Sequence, residues 1–384
     1  MKETITLLQV GQTPRLTRLL PQALPDVPVC LAPPAQESSL SQKRLLFVVG
    51  LDEFGPPPAF YELIRWLRQH PHSLDGTVAG VIVDGPGELY TKEAARMLVL
   101  AANLSGCFFP GKPLVEGTGS LYNQHIMAKN LGLTLEETYV RRIGDLAERV
   151  RIFTPRKTEK PRLLVLHASD NRRSNTVWMG REVLDRLSDA FSFQEICLQN
   201  GTIQDCRGCS YKACLHFAQR NTCFYGGVIS EEVIPAMEAC DGLLFLCPNY
   251  NDAVSANITA LFNRLTSLLT QRDLSDKYLF GIVVSGYSGS DLVAQQLMGA
   301  MCFNKTAMLP PQILPHADGQ RPGFRPVHAR HPGADSGIRS THRSNPSGDL
   351  IQRTNTPPHN DLYHTATGSE PNGSDPVEFF QEAV

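Results

Sequence analysis

The chain has no surplus of either charge: 36 Lys and Arg stand against 38 Asp and Glu, for a formal net charge of -2. A nucleic acid or an anionic membrane surface recruits a basic excess or a concentrated basic patch, so neither is expected as a partner. No apolar run approaches the roughly 20 residues that span a bilayer. Met1-Lys2-Glu3-Thr4-Ile5 lacks the apolar core of a secretory signal. These absences predict a cytoplasmic protein that works on small molecules. In a reducing compartment disulfides explain little, so clustered cysteines point instead to ligation or redox chemistry.

What is present is enough apolar material for two ordinary domains, 42% of 384 residues. Ile5 to Val10, Leu45 to Gly50 and Val78 to Val83 read as buried strands. Phe60 to Leu67, Lys92 to Leu104 and Leu135 to Val150 carry apolar residues at helical spacing. After the polar stretch Thr154 to Pro161 the order recurs, with strands at Leu163 to Leu166, Gly242 to Cys247 and Leu279 to Ser285. Leu45-Leu46-Phe47-Val48 matches Leu243-Leu244-Phe245-Leu246 at an offset of 198 (243 less 45). Gly80-Val81-Ile82-Val83-Asp84-Gly85 matches Gly281-Ile282-Val283-Val284-Ser285-Gly286 at 201 (281 less 80). Buried parallel strands resemble one another, but the recurring loop glycine favours a duplicated α/β unit over coincidence. The expected division is residues 1–153, a linker at 154–161, a second lobe at 162–309 and a tail at 310–384. The tail is rich in Pro, His, Ser, Thr and Arg, with isolated apolar residues, and is expected to be disordered. A shifted reading frame would account for its replacing the second lobe's closing helix.

Three turns of the second lobe follow strands and precede helices. The first runs from His167 to Thr176 and is rich in hydroxyl and amide groups: Ser169, Ser174, Asn175 and Thr176, with Arg172 and Arg173 beside them. Such a turn can present backbone N–H groups and the positive end of a helix to a phosphate, and equally it can simply cap the helix. It has neither the glycine pattern of a dinucleotide turn nor the Gly-Lys-Ser/Thr of a triphosphate loop. The second turn is Cys247-Pro248-Asn249-Tyr250-Asn251-Asp252 and the third is Ser285-Gly286-Tyr287-Ser288-Gly289-Ser290. Together they would form a crevice at the carboxyl edge of a parallel sheet, where open α/β sheets bind ligands.

Four of the ten cysteines fall between Cys206 and Cys223, spaced Cys-x2-Cys-x4-Cys-x8-Cys at Cys206, Cys209, Cys214 and Cys223. Thiolates this close in sequence can converge on an iron–sulfur cluster or on zinc, or can hold no metal. Cys197, Cys240, Cys247 and Cys302 flank apolar residues and read as small core side chains.

Residues 161 to 308 resemble the flavodoxin-like NAD(P)H-dependent FMN reductases, and within them the iron–sulfur flavoproteins. The likeness rests on the strand before Ala168-Ser169-Asp170-Asn171, on Ser174-Asn175-Thr176, on a cysteine-bearing insertion, and on Cys247-Pro248-Asn249-Tyr250 followed by Asn263-Arg264. It implies two tandem flavodoxin-like domains, each a parallel sheet with helices on both faces. It also implies FMN with its phosphate on Ser169 and Ser174 to Thr176, assisted by Arg172 or Arg173. The flavin ring would lie against Pro248, Asn249, Tyr250 and Asn251 and against Ser285, Gly286, Tyr287 and Ser288. NAD(P)H would be the reductant, a small molecule or a redox protein the acceptor, and a 4Fe-4S cluster on Cys206, Cys209, Cys214 and Cys223 the further carrier. The cysteine spacing is wider than that family's. Asn171 stands at the family's arginine position. No catalytic acid or base is identifiable.

The first lobe keeps Gly11-Gln12-Thr13-Pro14-Arg15 but has no Asn-Thr end and no cysteine insertion, and Asp52-Glu53 would repel a phosphate. A second FMN is not expected there; the lobe would serve as an internal pseudo-dimer partner, with homo-oligomer formation the alternative. The other function classes are an FMN electron carrier without turnover and a cofactor-free sensor or interaction module.

Overall fold

The buried Val, Leu and Phe runs become the centres of two five-stranded parallel sheets in the computed structural model. It describes residues 4–25, 27–31, 40–156, 158–169, 174–199, 203–220, 222–286, 288–312 and 317–318. The first lobe runs β1 (Ile5–Val10), α1 (Pro14–Ala23), β2 (Val29–Leu31), β3 (Arg44–Gly50), α2 (Pro58–Gln69), β4 (Val78–Asp84), α3 (Thr91–Leu104), β5 (Leu114–Gly117), α4 (His125–Leu131) and α5 (Leu135–Ile152). The second runs β6 (Arg162–His167), α6 (Asn175–Leu187), β7 (Ser192–Cys197), α7 (Tyr211–Ala218), α8 (Ile234–Ala239), β8 (Gly242–Pro248), α9 (Ala256–Arg264), α10 (Thr266–Gln271), β9 (Tyr278–Ser285), α11 (Ser290–Met298) and β10 (Ala317–Asp318).

The sheets are ordered β2-β1-β3-β4-β5 and β7-β6-β8-β9-β10. Both are the flavodoxin-like order, in which each chain crosses from the first strand to its two neighbours on opposite sides. Every residue of β4 and β8 is buried, as expected of central parallel strands covered by helices on both faces. Helix starts follow local chemistry. Thr13 and Ser174 accept from the backbone N–H three residues on, and Thr134 with Glu137 forms a reciprocal capping box at α5.

The duplication extends to register. Asp84 pairs with Gly117 at the edge of the first sheet, and Ser285 pairs with Asp318 at the same place in the second. The fifth strand of the second sheet therefore lies beyond residue 309, where the sequence reading placed the start of the tail. Its two residues, Ala317 and Asp318, follow a sequence with Pro310, Pro311 and Pro315 in which no apolar pattern announces a strand. The rest of the expected tail, from 319 onward, lies outside the described residues.

The two lobes meet through equivalent parts. Phe109 N–H donates to Leu309 O (2.9 Å) and Leu309 N–H donates to Phe109 O (2.8 Å), an antiparallel bridge between positions 200 apart (309 less 109). Helix α3 packs on its counterpart α11. Asn103, fully buried, donates from Nδ2 to Pro310 O at 2.6 Å. Gly111 is required at this junction, because a Cβ there would fall 1.6 Å from Thr306 O. Equivalent surfaces facing each other define a pseudo-two-fold, isologous contact. The apolar core runs through it: Leu98 and Val99 of α3 belong to the same buried cluster as Leu297 and Met298 of α11.

Candidate active site

The carboxyl edge of the second sheet carries a polar chain, running from the surface to one buried histidine, that the sequence reading missed. His167, the last residue of β6, is fully buried, with Nε2 at 3.0 Å from Glu195 Oε1. Arg181 Nη2 donates to the same oxygen at 2.8 Å. His167 Nδ1 in turn accepts from the Ser169 N–H at 3.4 Å, which assigns the ring proton to Nε2. Burial pushes the Glu195 carboxyl up, but the hydrogen bonds from Arg181 and His167 outweigh it and hold the group below the usual carboxylate range. The chain Arg181, Glu195, His167 thus fixes the backbone where the first turn begins.

At that point Ser169 is buried, and its hydroxyl has no hydrogen-bond partner among the described residues. A buried hydroxyl left unpaired costs free energy, so such an atom marks a place where a further acceptor or donor belongs. Ser174 caps α6, accepting from Val177 N–H at 3.2 Å. Asn175 is exposed and Thr176 buried at the helix's positive end. Arg172 and Arg173 lie outside the described residues, as do Asp170 and Asn171.

The second and third turns are tied to each other. Asn249 Nδ2 donates to Ser285 Oγ (3.1 Å), Ser288 O (2.6 Å) and Asp252 Oδ1 (3.2 Å), while its Oδ1 accepts from Asp252 N–H (2.9 Å). Asn251 and Asp252 take positive φ, 54° and 56°, which folds the turn sharply. Gly289, at φ +82°, could carry no side chain, since a Cβ would lie 1.9 Å from Asp252 Oδ1. Pro248 is buried, whereas Tyr250 is 61% exposed and Gly286 also faces solvent. Tyr287 lies outside the described residues. The structure therefore brings Ser169 and Ser174 to Thr176 to the end of β6, Pro248 to Asn251 to the end of its neighbour β8, and Ser285, Gly286 and Ser288 to the end of β9 beyond it. These groups suit FMN: an unpaired buried hydroxyl and a helix start for the phosphate, and a cross-linked pair of turns for the ring.

The first lobe's corresponding edge is filled from within. Arg15 Nε donates to Asp84 Oδ2 at 2.7 Å. Its Nη groups donate to Gly119 O, Gly85 O, Gly117 O and Thr118 O at 2.8–3.1 Å. Thr13 Oγ1 donates to the other Asp84 oxygen at 2.5 Å. Three residues, 11–13, separate β1 from α1, against seven, 168–174, between β6 and α6. The expectation of no second FMN here rests on the missing Asn-Thr end, the missing cysteine insertion and Asp52-Glu53; the structure adds the Arg15–Asp84 pair, 16% and 1% exposed, at this edge.

The cysteine insertion is held by α9. Asn263 Nδ2 donates to Asp205 Oδ1 (2.9 Å), and the buried Arg264 donates to Gln204 O, Gly226 O and Ser230 Oγ (2.7–3.3 Å), clamping both ends of the segment. Cys206, Cys209, Cys214 and Cys223 border one cavity of about 200 Å³, shared with Phe217, Phe224 and Tyr225. Burial and the three other thiols push the Cys214 thiol up, disfavouring the thiolate that binds metals. Yet among the described residues no three His, Cys, Asp or Glu side chains are grouped to hold a metal ion. The expected ligand set is thus gathered around a pocket without converging on a point. Cys206 and Cys209 lie in irregular, exposed backbone, Cys214 on the single-faced helix α7 and Cys223 beyond it. As arranged, these residues do not fit an iron–sulfur cluster. Of the thiols read as core, Cys240, Cys247 and Cys302 are buried and Cys197 is half-buried on the edge strand β7.

Residues 161–319 match the family model of the NADPH-dependent FMN reductases, a span that includes β6 through β10 and covers less than half of the chain. No curated protein matches the chain. Solved structures similar to it include RosB with a bound 8-demethyl-8-formylriboflavin-5'-phosphate intermediate. That structure is 11% identical over 40% of this chain and 63% of that one, with a TM-score of 0.33, so the chain spans less than two thirds of that protein's length. An NAD(P)H:quinone oxidoreductase from Methanothermobacter marburgensis is 16% identical over 43% of this chain and 89% of that one (TM-score 0.34). An FMN-dependent NADH-azoreductase from Bacillus anthracis, in complex with FMN, is 11% identical over 38% and 85% (TM-score 0.26).

Proposed function

We propose that this chain is an NAD(P)H-dependent FMN oxidoreductase that binds one FMN, in its second lobe, and delivers electrons to a small acceptor. The observation that carries the reading is the buried Ser169 hydroxyl, unpaired among the described residues, at a strand-to-helix turn within the span that matches the reductase family. Bound FMN supplies the hydride-accepting ring, and the protein supplies position and electrostatics.

Each group of residues has a separate task. The Ser169 hydroxyl and the N–H groups opening α6 hold the phosphate, with the helix's positive end favouring its charge. The chain from Arg181 through Glu195 to His167 keeps the Ser169 N–H in place. Asn249 locks the turn at 248–252 to the turn at 285–289, so both move as one wall beside the ring. Exposed Tyr250 offers an aromatic face on that wall. Because the cysteines do not form a ligand set, no electron path is assigned through them.

The test is to purify the full chain, add FMN, remove excess and measure both retained flavin and the steady-state oxidation of NADH and NADPH. Retained flavin with turnover of either nucleotide supports the reading. Retained flavin with negligible turnover would instead indicate an electron carrier, and a well-folded protein that cannot retain FMN defeats both.

A further inference from the structure

Apart from the three turns of the second lobe, a cavity of about 470 Å³ lies beside the edge strand β5, walled by α3, α4 and α5 and bordered by Phe303 and Asn304 of the second lobe. Its size is within the range of small-molecule sites. Six cationic side chains line it: Lys92, Arg96, Lys112, Arg141, Arg142 and Arg149. Only two acidic side chains, Glu116 and Asp145, share the wall, and each is engaged: Lys92 Nζ lies 3.6 Å from Glu116 Oε1, and Arg141 Nε donates to Asp145 Oδ1 at 3.0 Å.

The remaining four cations have no carboxylate at ion-pair distance among the described residues, and the polar acceptors they do meet are neutral. Arg142 Nη1 donates to Gln124 Oε1 at 2.6 Å and Arg149 Nη2 to Lys112 O at 2.8 Å. The Nε groups of Arg96 and Arg149 are buried with no acceptor among the described residues. Burial pulls both Arg142 and Arg149 below the ordinary guanidinium range, with nearby carboxylates opposing it, and Arg142 adds repulsion on Arg149. A solvated basic face would leave its guanidinium groups in water. Here they are drawn inward and together with no carboxylate at ion-pair distance among the described residues, an arrangement that an anion would relieve.

We infer that this cavity is a binding site for a small organic oxyanion, a phosphoryl or polycarboxylate group on an apolar body. The anion is met by Arg96, Lys112, Arg142 and Arg149, which suit planar, bidentate oxyanion recognition where arginine supplies the donors. Leu114, Met127 and Phe303 form the apolar part of the wall. Because Phe303 and Asn304 come from the second lobe, an occupant touches both halves of the molecule. The site is separate from the proposed flavin turns and does not depend on them.

Isothermal titration calorimetry of the full chain tests this with two probes, phenyl phosphate for the phosphoryl arm and citrate for the carboxylate arm. Saturable binding of at least one, weakening as salt rises from about 0.05 to about 0.5 M, is expected. The double substitution Arg142→Gln and Arg149→Gln should weaken it about tenfold or more, on the scale of charged hydrogen bonds. Arg68→Gln, on exposed α2 surface outside the cavity, should leave it unchanged. Should the double variant fail to fold by circular dichroism, the exposed Lys112→Gln serves in its place, with the same direction expected. No saturable binding of either probe below about 10 mM, or binding indifferent to the substituted cavity cations, overturns the inference.

Discussion

Arg15 Nε donates to Asp84 Oδ2 at 2.7 Å across the carboxyl edge of the first sheet, and Arg15 also donates to the backbone carbonyls of Gly85, just after β4, and of Gly117, Thr118 and Gly119 at the end of β5. At the matching register position in the second sheet stands Ser285, which donates to Ser288 O, and no cation–carboxylate pair takes the place of Arg15 and Asp84 among the described residues of that edge. The matching positions of the two sheets thus carry different chemistry, a cation–carboxylate pair in the first and a hydroxyl in the second.

Removing one member of the sealed pair should be costly. Asp84 is 1% exposed, so Arg15→Ala leaves a buried carboxylate uncompensated and should lower stability by about 3–5 kcal/mol in urea denaturation. The double variant Arg15→Ala, Asp84→Ala should recover part of that loss. Equal stability of wild type and Arg15→Ala would show that the pair is not the closure described.

The central strands were legible in the sequence because parallel strands buried on both faces read as unbroken Val, Leu and Phe runs; Leu45 to Gly50 and Gly242 to Cys247 are examples. The edge strands were not. Val29–Leu31 and Ala317–Asp318 are too short to show a period, and Ser192–Cys197 is half exposed. The Arg15 plug was also illegible, since its partners lie 69 to 104 positions away in sequence. The four thiols expected as metal ligands border one pocket, but spacing along the chain does not determine whether side chains meet.

The thiols should separate by reactivity. Exposed Cys206 and Cys209 should be alkylated first in the native protein at neutral pH. Cys240 and Cys247 should react only on unfolding, because burial pushes their thiols up to about 11 and about 12. Peptide mass spectrometry after a short maleimide pulse reads the order; early labelling of Cys247 would contradict it.

Acid should loosen the support beneath the first flavin turn. Glu195 has a folded-state pKa held below its ordinary value, so its contribution is complete above the ordinary carboxylate pKa and is lost as pH falls through the folded value. Melting temperature should accordingly fall with acidification below about pH 4.3, less steeply in Glu195→Gln than in wild type. Identical slopes in the two proteins would remove the ion pair from the account.

The proposed function has one FMN per chain, held at the second lobe's turns, and none in the first lobe. The most direct measurement is the stoichiometry and affinity of FMN in the full chain and in Ser169→Ala, read by flavin fluorescence titration. The account predicts a single site in wild type, weakened about tenfold in Ser169→Ala, while Arg15→Ala leaves the stoichiometry at one. Two flavins per chain, or affinity indifferent to Ser169→Ala, would contradict it.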